Sequence, residues 1–158
     1  MFDNLLGLPY NWTEEIFKLA NNLSSGLEDY LEAIYISRIN YKTLKGADLA
    51  RKLDVSRASV SEALSRLVSK GLVSYNSYEC INLTESGVVE AEKIYGKHRV
   101  LKDFFEVVLG IPSYNAEKNA CRIEHIISED ILHKMKNFTK FFKNHKKILE
   151  IYMEESEN

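Results

Sequence analysis

Six side chains in three separated segments have the types and spacings that hold divalent metals. Asp29 and Glu32 stand three residues apart, His98 lies within Lys97-His98-Arg99, and Cys121, Glu124 and His125 sit at i, i+3 and i+4. On a helix those offsets place each set on one face. A thiolate, carboxylates and imidazoles that converge suit a first-row divalent ion, the thiolate favouring iron, cobalt or zinc and the carboxylates manganese. Each residue also has a bland explanation. A lone helical cysteine is more often a small buried apolar residue than a ligand. Acids in a first helical turn are favoured by the macrodipole, and Asp29 and Glu32 are read as first-turn acids. His98 between two cations is compatible with plain surface. Convergence of all three segments is what turns the reading toward a metal.

A second chemistry lies between those segments. Residues 38–70 hold eight basic side chains against three acidic ones, a net charge of +5 inside a chain of net −2. A basic block in an acidic chain points to a polyanionic partner. The elements around it are short and closely spaced. Leu27, Tyr30, Leu31, Ile34 and Tyr35 make one apolar helix face that ends near Arg38, opened by a capping box at Ser25-Gly26-Leu27-Glu28. Leu44–Leu53 reads as a short helix with Leu44, Ala47, Leu49, Ala50 and Leu53 inward. Asp54-Val55-Ser56 is a tight connection. Ser56 caps a helix to Lys70 with Val60, Ala63, Leu64, Leu67 and Val68 inward, and Gly71 stops it. Leu72–Tyr75 and Cys80–Leu83 read as two strands joined at Asn76-Ser77.

Helix, short helix, turn, helix and hairpin is the order of a winged helix-turn-helix. Its second helix offers N-terminal side chains to base edges while the wing reaches phosphates. The candidate DNA-facing residues are Lys45, Ser56, Arg57, Ala58, Ser59, Ser61, Glu62 and Arg66, with Asn76 on the wing. Arg57 can bind guanine at two atoms, and Ala58 can touch a thymine methyl. Glu62 is the odd member, able to accept from cytosine or to repel phosphate. A serine at a helix start is also simply a cap.

Thr84-Glu85-Ser86-Gly87 opens a long helix to about Leu109, broken at Gly110-Ile111-Pro112. Further helices are expected over about 115–134 and 137–152. Residues 1–24 are read as an N-terminal extension with a short helix capped by Asn11 and Glu14, residues 25–84 as the DNA-binding domain, and residues 85–158 as a helical metal-binding and dimerisation domain. The fold class is mainly α. Val100, Leu101, Phe104, Phe105, Val108 and Leu109 form a wide apolar stripe, with Phe138, Phe141 and Phe142 beyond it, as a candidate homodimer surface.

Hydrophobic residues make up 45% and charged residues 28%, which excludes a disordered chain. Cys80 and Cys121 are the only cysteines, too few for a disulfide scaffold. Neither an export signal nor a membrane span is expected, so the cytoplasm is the expected compartment. Gly-rich phosphate loop, HExxH, CxxC and serine nucleophile elbow are all lacking, so no catalytic residues are assigned and the chain is not read as an enzyme.

The segment Leu27–Tyr35, the helix-turn-helix, Lys97-His98-Arg99 and Ala120–His125 together resemble the metal-dependent repressors typified by the diphtheria toxin repressor and the manganese transport regulator. The resemblance runs from about residue 26 to 145 and implies a homodimer that binds double-stranded operator DNA when divalent iron or manganese is present. It implies the short, manganese-regulator-like architecture, because the chain ends where the third domain of the longer iron-type members begins. Its ligand signature is mixed. Asp29 stands where iron-type members carry methionine and manganese-type members aspartate, and Glu32 matches a manganese-type ligand. Cys121 matches the iron-type cysteine, while His98, Glu124 and His125 are common to both. Lys102 and Glu117 replace a glutamate and a histidine of the iron type's ancillary site, which speaks against that site. The expected cofactor is a divalent transition metal, Fe(II) before Mn(II). The rival reading is a metal-independent winged-helix protein-interaction module.

Overall fold

Leu27, Leu31 and Ile34 recur at helical spacing and bury one face of the first helix, α1 (Ser25–Ile39). The computed structural model describes residues 23–40, 42–75 and 80–156. The expected helix around Asn11–Glu14 and the wing tip with Asn76 lie outside the described residues. The cap of α1 departs from expectation: Ser24, not Ser25, takes the extended N-cap backbone, and its hydroxyl makes no capping bond. This start leaves Asp29 and Glu32 beyond the first turn, where the macrodipole no longer explains them.

Helices α2 (Gly46–Leu53) and α3 (Arg57–Ser69) follow. Asp54 makes the turn between them in the left-handed region, at φ 54°. Ser56 caps α3 as expected, its hydroxyl accepting from the Ser59 N–H at 3.0 Å. Leu31, Leu49, Leu64 and Leu67 are fully buried together. Lys52 adds a polar tie, its ammonium donating to the Ala33 carbonyl of α1 at 3.1 Å. Ala47 and Val68 are exposed rather than inward. The packed face of α3 runs through Val60, Ala63, Leu64 and Leu67, and Val68 falls to the side of it.

Gly71 ends α3 at φ +70°, a backbone that favours glycine. Strands β1 (Val73–Ser74) and β2 (Asn82–Leu83) pair antiparallel with Val73 opposite Leu83, shorter than the four-residue strands expected. Thr84 then caps α4 (Glu85–Val107), accepting from the Gly87 N–H at 3.0 Å and donating to the Gly71 carbonyl at 2.7 Å. A Cβ on Gly87 would lie 1.9 Å from the Leu72 carbonyl oxygen, so only glycine lets α4 leave the wing this closely.

Two cores share α4. Ala91 and Ile94 belong to the first, built by α1 to β2. Leu101 belongs to the second, with Ala120 and Leu132 of α5 (Ser113–Ile123) and α6 (Glu129–Asn144). His98 is buried on the stretch of α4 between them. Helix α7 (Lys146–Ser156) closes the described chain. The single helix expected over 115–134 is therefore two, and the last expected helix is re-divided at His145. The break follows from local chemistry: Ser128 takes an extended N-cap backbone with Glu129 and Asp130 in the turn after it, a helix start set inside an apolar run.

The expected homodimer stripe is also revised. Leu101 and Val108 are buried within the chain, whereas Leu109, Phe138, Phe141, Ile148, Ile151 and Tyr152 remain exposed. Among the described residues, no helix is long and apolar enough to cross a membrane.

Candidate metal centre and nucleic-acid interface

Helix α1 presents Glu28, Asp29 and Glu32 toward the end of α5, and α4 brings His98 between them. Cys121 lies in the last turn of α5, Glu124 is its C-cap, and His125 falls in the turn beyond. The three residues do not share one helix, as the sequence suggested. Glu124 nevertheless keeps helical backbone and its N–H bonds to the Ala120 carbonyl, which preserves its offset from Cys121.

Five of the six candidate ligands fall into two metal-capable groupings, and His125, in neither grouping, touches them through its Nε2. One ligand atom each from Asp29, Cys121 and Glu124 lies within 4.8 Å of the others, and the same holds for Glu32, His98 and Glu124. Glu124 joins the two groupings and is 1% exposed. Its Oε2 meets His98 Nδ1 at 2.7 Å, and its Oε1 lies 3.4 Å from His125 Nε2. His125 Nε2 is 3.0 Å from Asp29 Oδ1, and His125 Nδ1 is 2.6 Å from Glu28 Oε2. His98 Nε2 is 3.1 Å from Glu117 Oε1, whose other oxygen takes the Lys102 ammonium at 2.7 Å. Two atoms stand out: Glu32 Oε1 and Glu124 Oε1 are buried without a hydrogen bond. A buried carboxylate oxygen without a donor is costly, and here only His98 Nδ1 at 3.9 Å from Glu32 Oε1 and His125 Nε2 at 3.4 Å from Glu124 Oε1 offset it among the described ion pairs. These residues thus fit a divalent ion.

The electrostatics agree. Burial, and then repulsion from Glu124, push the Glu32 carboxyl up to about 7. Burial alone would lower His98, but the hydrogen bond and charge of Glu124, with Glu32 and Glu117, hold it at about 9. Burial and the charges of Glu124, Asp29, Glu32 and Glu117 push the Cys121 thiol up to about 11. Burial would lower His125, and the bond to Glu28 with the surrounding carboxylates raises it. This is a concentration of negative charge that protons and histidines neutralise and that a divalent ion would neutralise better. Cys121 is exposed as a residue, although its thiol is partly desolvated beside the Asp29 and Glu124 carboxylates.

The other face is α3. Lys45, Ser56, Arg57, Ala58, Ser59, Ser61, Glu62 and Arg66 are all exposed. The Ser56 and Ser59 hydroxyls lie 2.8 Å apart and serve the cap. Glu62 stands on the flank of α3 toward α1: the Tyr30 phenol is raised by burial and then by the charges of Glu62 and Asp29. Arg57 and Arg66 keep an unobstructed outward face, as contact with a polyanion requires.

Comparison with known proteins decides the class. Residues 22–81 match the iron dependent repressor N-terminal DNA binding domain, and residues 84–153 match the iron dependent repressor metal binding and dimerisation domain. An uncharacterized HTH-type transcriptional regulator of Methanocaldococcus jannaschii is 37% identical over 123 residues, 77% of this chain and 98% of that protein. The chain belongs to the iron-dependent repressor family. The iron-dependent repressor IdeR of Mycobacterium tuberculosis is 34% identical over 111 residues, 70% of this chain and 48% of that protein. A solved structure described as a manganese-dependent transcriptional repressor complex with manganese superposes with a TM-score of 0.67 at 26% identity, covering 73% of this chain and 53% of that one. The chain thus spans about half the length of these two longer repressors.

Within this chain, two features escaped the sequence reading. Glu28 was assigned to a capping box, yet its carboxylate lies on His125, 97 residues away. No local signal marks such a contact. Glu117 is drawn down, against burial, by Lys102 and His98, and Lys102 is drawn up by Glu117. Among the described residues, neither metal-capable grouping includes Glu117.

Proposed function

We propose that this protein represses genes, those of metal uptake foremost, by binding operator DNA in the cytoplasm as a homodimer loaded with a divalent metal, Fe(II) before Mn(II). The observation that carries the reading is the pair of buried, unbonded oxygens of Glu32 and Glu124 beside His98. They stand on three elements, and α1 belongs to the DNA-binding unit while the end of α5 does not. Asp29, Glu32, His98, Cys121, Glu124 and His125 would hold the ion. Its role when bound is to offset the carboxylate charge and tie α1 to α4 and α5.

Everything else is done by the chain. Leu31, Leu49 and Leu64 make α1, α2 and α3 one packed unit, so fixing α1 fixes α3. In a twofold dimer that sets the separation of two recognition helices, which successive major grooves require to be roughly 34–36 Å. Phe138, Phe141, Ile148 and Ile151 offer exposed apolar area for the dimer contact. Arg57 would read a base edge, Lys45 and Arg66 would hold phosphates, Ala58, Ser59, Ser61 and Glu62 would line the groove, and Asn76 would reach the backbone from the wing. A hundredfold gain in DNA affinity needs about 2.7 kcal/mol of coupling, and operator DNA must then tighten the metal by the same factor.

Cys121 underlies the preference for iron, because a thiolate is a poor manganese ligand whereas carboxylates accept both metals. Zinc can bind more tightly than either without being the signal. Absorption spectroscopy of the Co(II) complex tests the ligand set. A sulfur-to-cobalt charge-transfer band is expected in the wild type and its loss in Cys121→Ala, and Cys121→Glu is expected to shift activation of DNA binding toward Mn(II). A wild type that binds Co(II) without the band would remove both Cys121 and the iron preference.

A further inference from the structure

Glu28 is the acid in the first turn of α1, a position whose ordinary role is local. An acid in the first turn of a helix ordinarily stays on the N-terminal N–H groups. Here it does not: Ser24 makes no side-chain cap, no box with Ser25 forms, and the Glu28 carboxylate crosses to the turn after α5. There its Oε2 lies 2.6 Å from His125 Nδ1. The opposite ring nitrogen, Nε2, faces the candidate ligand oxygens, 3.0 Å from Asp29 Oδ1 and 3.4 Å from Glu124 Oε1. Both nitrogens of His125 thus face carboxylates, and an ion seated among the ligand oxygens would take the place of the Nε2 proton while Nδ1–H stays on Glu28. An imidazole that donates Nδ1–H to a carboxylate is left with its Nε2 lone pair for a metal, and its ring plane is fixed by the bond.

We propose that Glu28 is the positioning residue of the metal centre: it accepts the Nδ1 proton of His125, commits Nε2 to the ligand side, and ties the turn after α5 to α1 independently of the ion. The inference rests on the metal-sensor reading and assigns Glu28 no bond to the metal. It also gives α1 adjacent residues with different duties, Asp29 on Nε2 and Glu28 on Nδ1.

The test uses the full chain, wild type against Glu28→Ala and Glu28→Gln, with two readouts. The first is the histidine 15N NMR spectrum of chelator-treated protein, at a pH where His125 is neutral. The second is titration with Mn(II) and Co(II). The wild type is expected to hold His125 as the Nδ1–H tautomer. Glu28→Ala is expected to release it toward the Nε2–H form that imidazole prefers in water, and to lower metal affinity by about 10–100-fold. Glu28→Gln retains an acceptor oxygen and is expected to keep the tautomer and most of the affinity. An unchanged tautomer or an unchanged affinity in Glu28→Ala overturns the role of Glu28. A wild type that binds neither Mn(II) nor Co(II) overturns instead the metal-sensor reading, and the NMR comparison still reports on the Glu28–His125 contact by itself.

Discussion

The recognition helix and the metal centre are built on opposite plans. Helix α3 draws its order from its neighbours in sequence. Ser56 caps it, Val60, Leu64 and Leu67 bury one face, and the residues aimed at DNA are exposed. At the metal centre, Glu124 bonds His98 across 26 residues, and His125 bonds Asp29 and Glu28 across 96 and 97. The first region is set by local caps and turns and by apolar packing on α1 and α2, with no buried charge to offset. The second exists only when α1, α4 and the end of α5 have met, and it holds charges that repel until something neutralises them. A sensor needs that difference: the reading head stays rigid, while the part that responds is the part whose assembly is electrostatically incomplete.

The largest separation of the two regions is expected from Glu124→Ala. Glu124 is shared by both metal-capable groupings, so its loss should weaken metal binding by at least about 100-fold, roughly 2.7 kcal/mol. The weak affinity for DNA measured in chelator should be unchanged. Isothermal titration with Mn(II) beside a DNA-binding assay checks both halves, and loss of basal DNA binding would show that the regions are not separable.

The response to pH tests the same region without a mutation. Cys121 at about 11 and His98 at about 9 are both protonated between pH 6 and 8, and a metal ligand must give up its proton. Affinity for metal should therefore rise with pH, by about tenfold per unit for each proton released. Basal DNA binding, resting on arginine and lysine, should follow salt rather than pH. Metal titrations at pH 6, 7 and 8 with proton counting test the sign, and an affinity that falls as pH rises would contradict it.

Arg57→Ala attacks the other region. Specific DNA affinity should drop by about 1–3 kcal/mol, as for loss of a base-reading arginine, while Mn(II) affinity stays the same. An unchanged DNA affinity would mean that α3 is not the reading helix. The smallest effect is expected from Ser56→Ala, which removes the α3 cap and should cost ~1 kcal/mol of stability in denaturant unfolding. The Co(II) spectrum should not change. A shifted spectrum would link the cap to the metal centre.

The same contrast explains what could be read from the sequence. The helix-turn-helix was legible because its signals are local: Asp54 at the turn, Ser56 at the cap, Gly71 at the stop. The types of the six ligand candidates were legible too, and so was their helical spacing. Their actual surroundings were not. Cys121 to His125 reads as one apolar-spaced helix, and only the competing start at Ser128 breaks it. Leu101 reads as part of a free stripe because nothing in its own segment announces Ala120 and Leu132. Glu28 reads as a cap because its partner is a histidine in another element. Contacts that sequence separation hides are the ones that make this site.

The claim at the centre is that divalent metal at the six residues raises affinity for DNA. The direct measurement is fluorescence anisotropy on a DNA duplex selected from a random pool by the Mn(II)-loaded protein. Affinity is compared with Fe(II) under anaerobic conditions, with Mn(II), and with a chelator. An increase of about 100-fold with metal, larger for Fe(II) than for Mn(II) and lost in Glu124→Ala, is the expected result. Equal affinity with metal and with chelator would contradict it and leave a metal-independent winged-helix protein in its place.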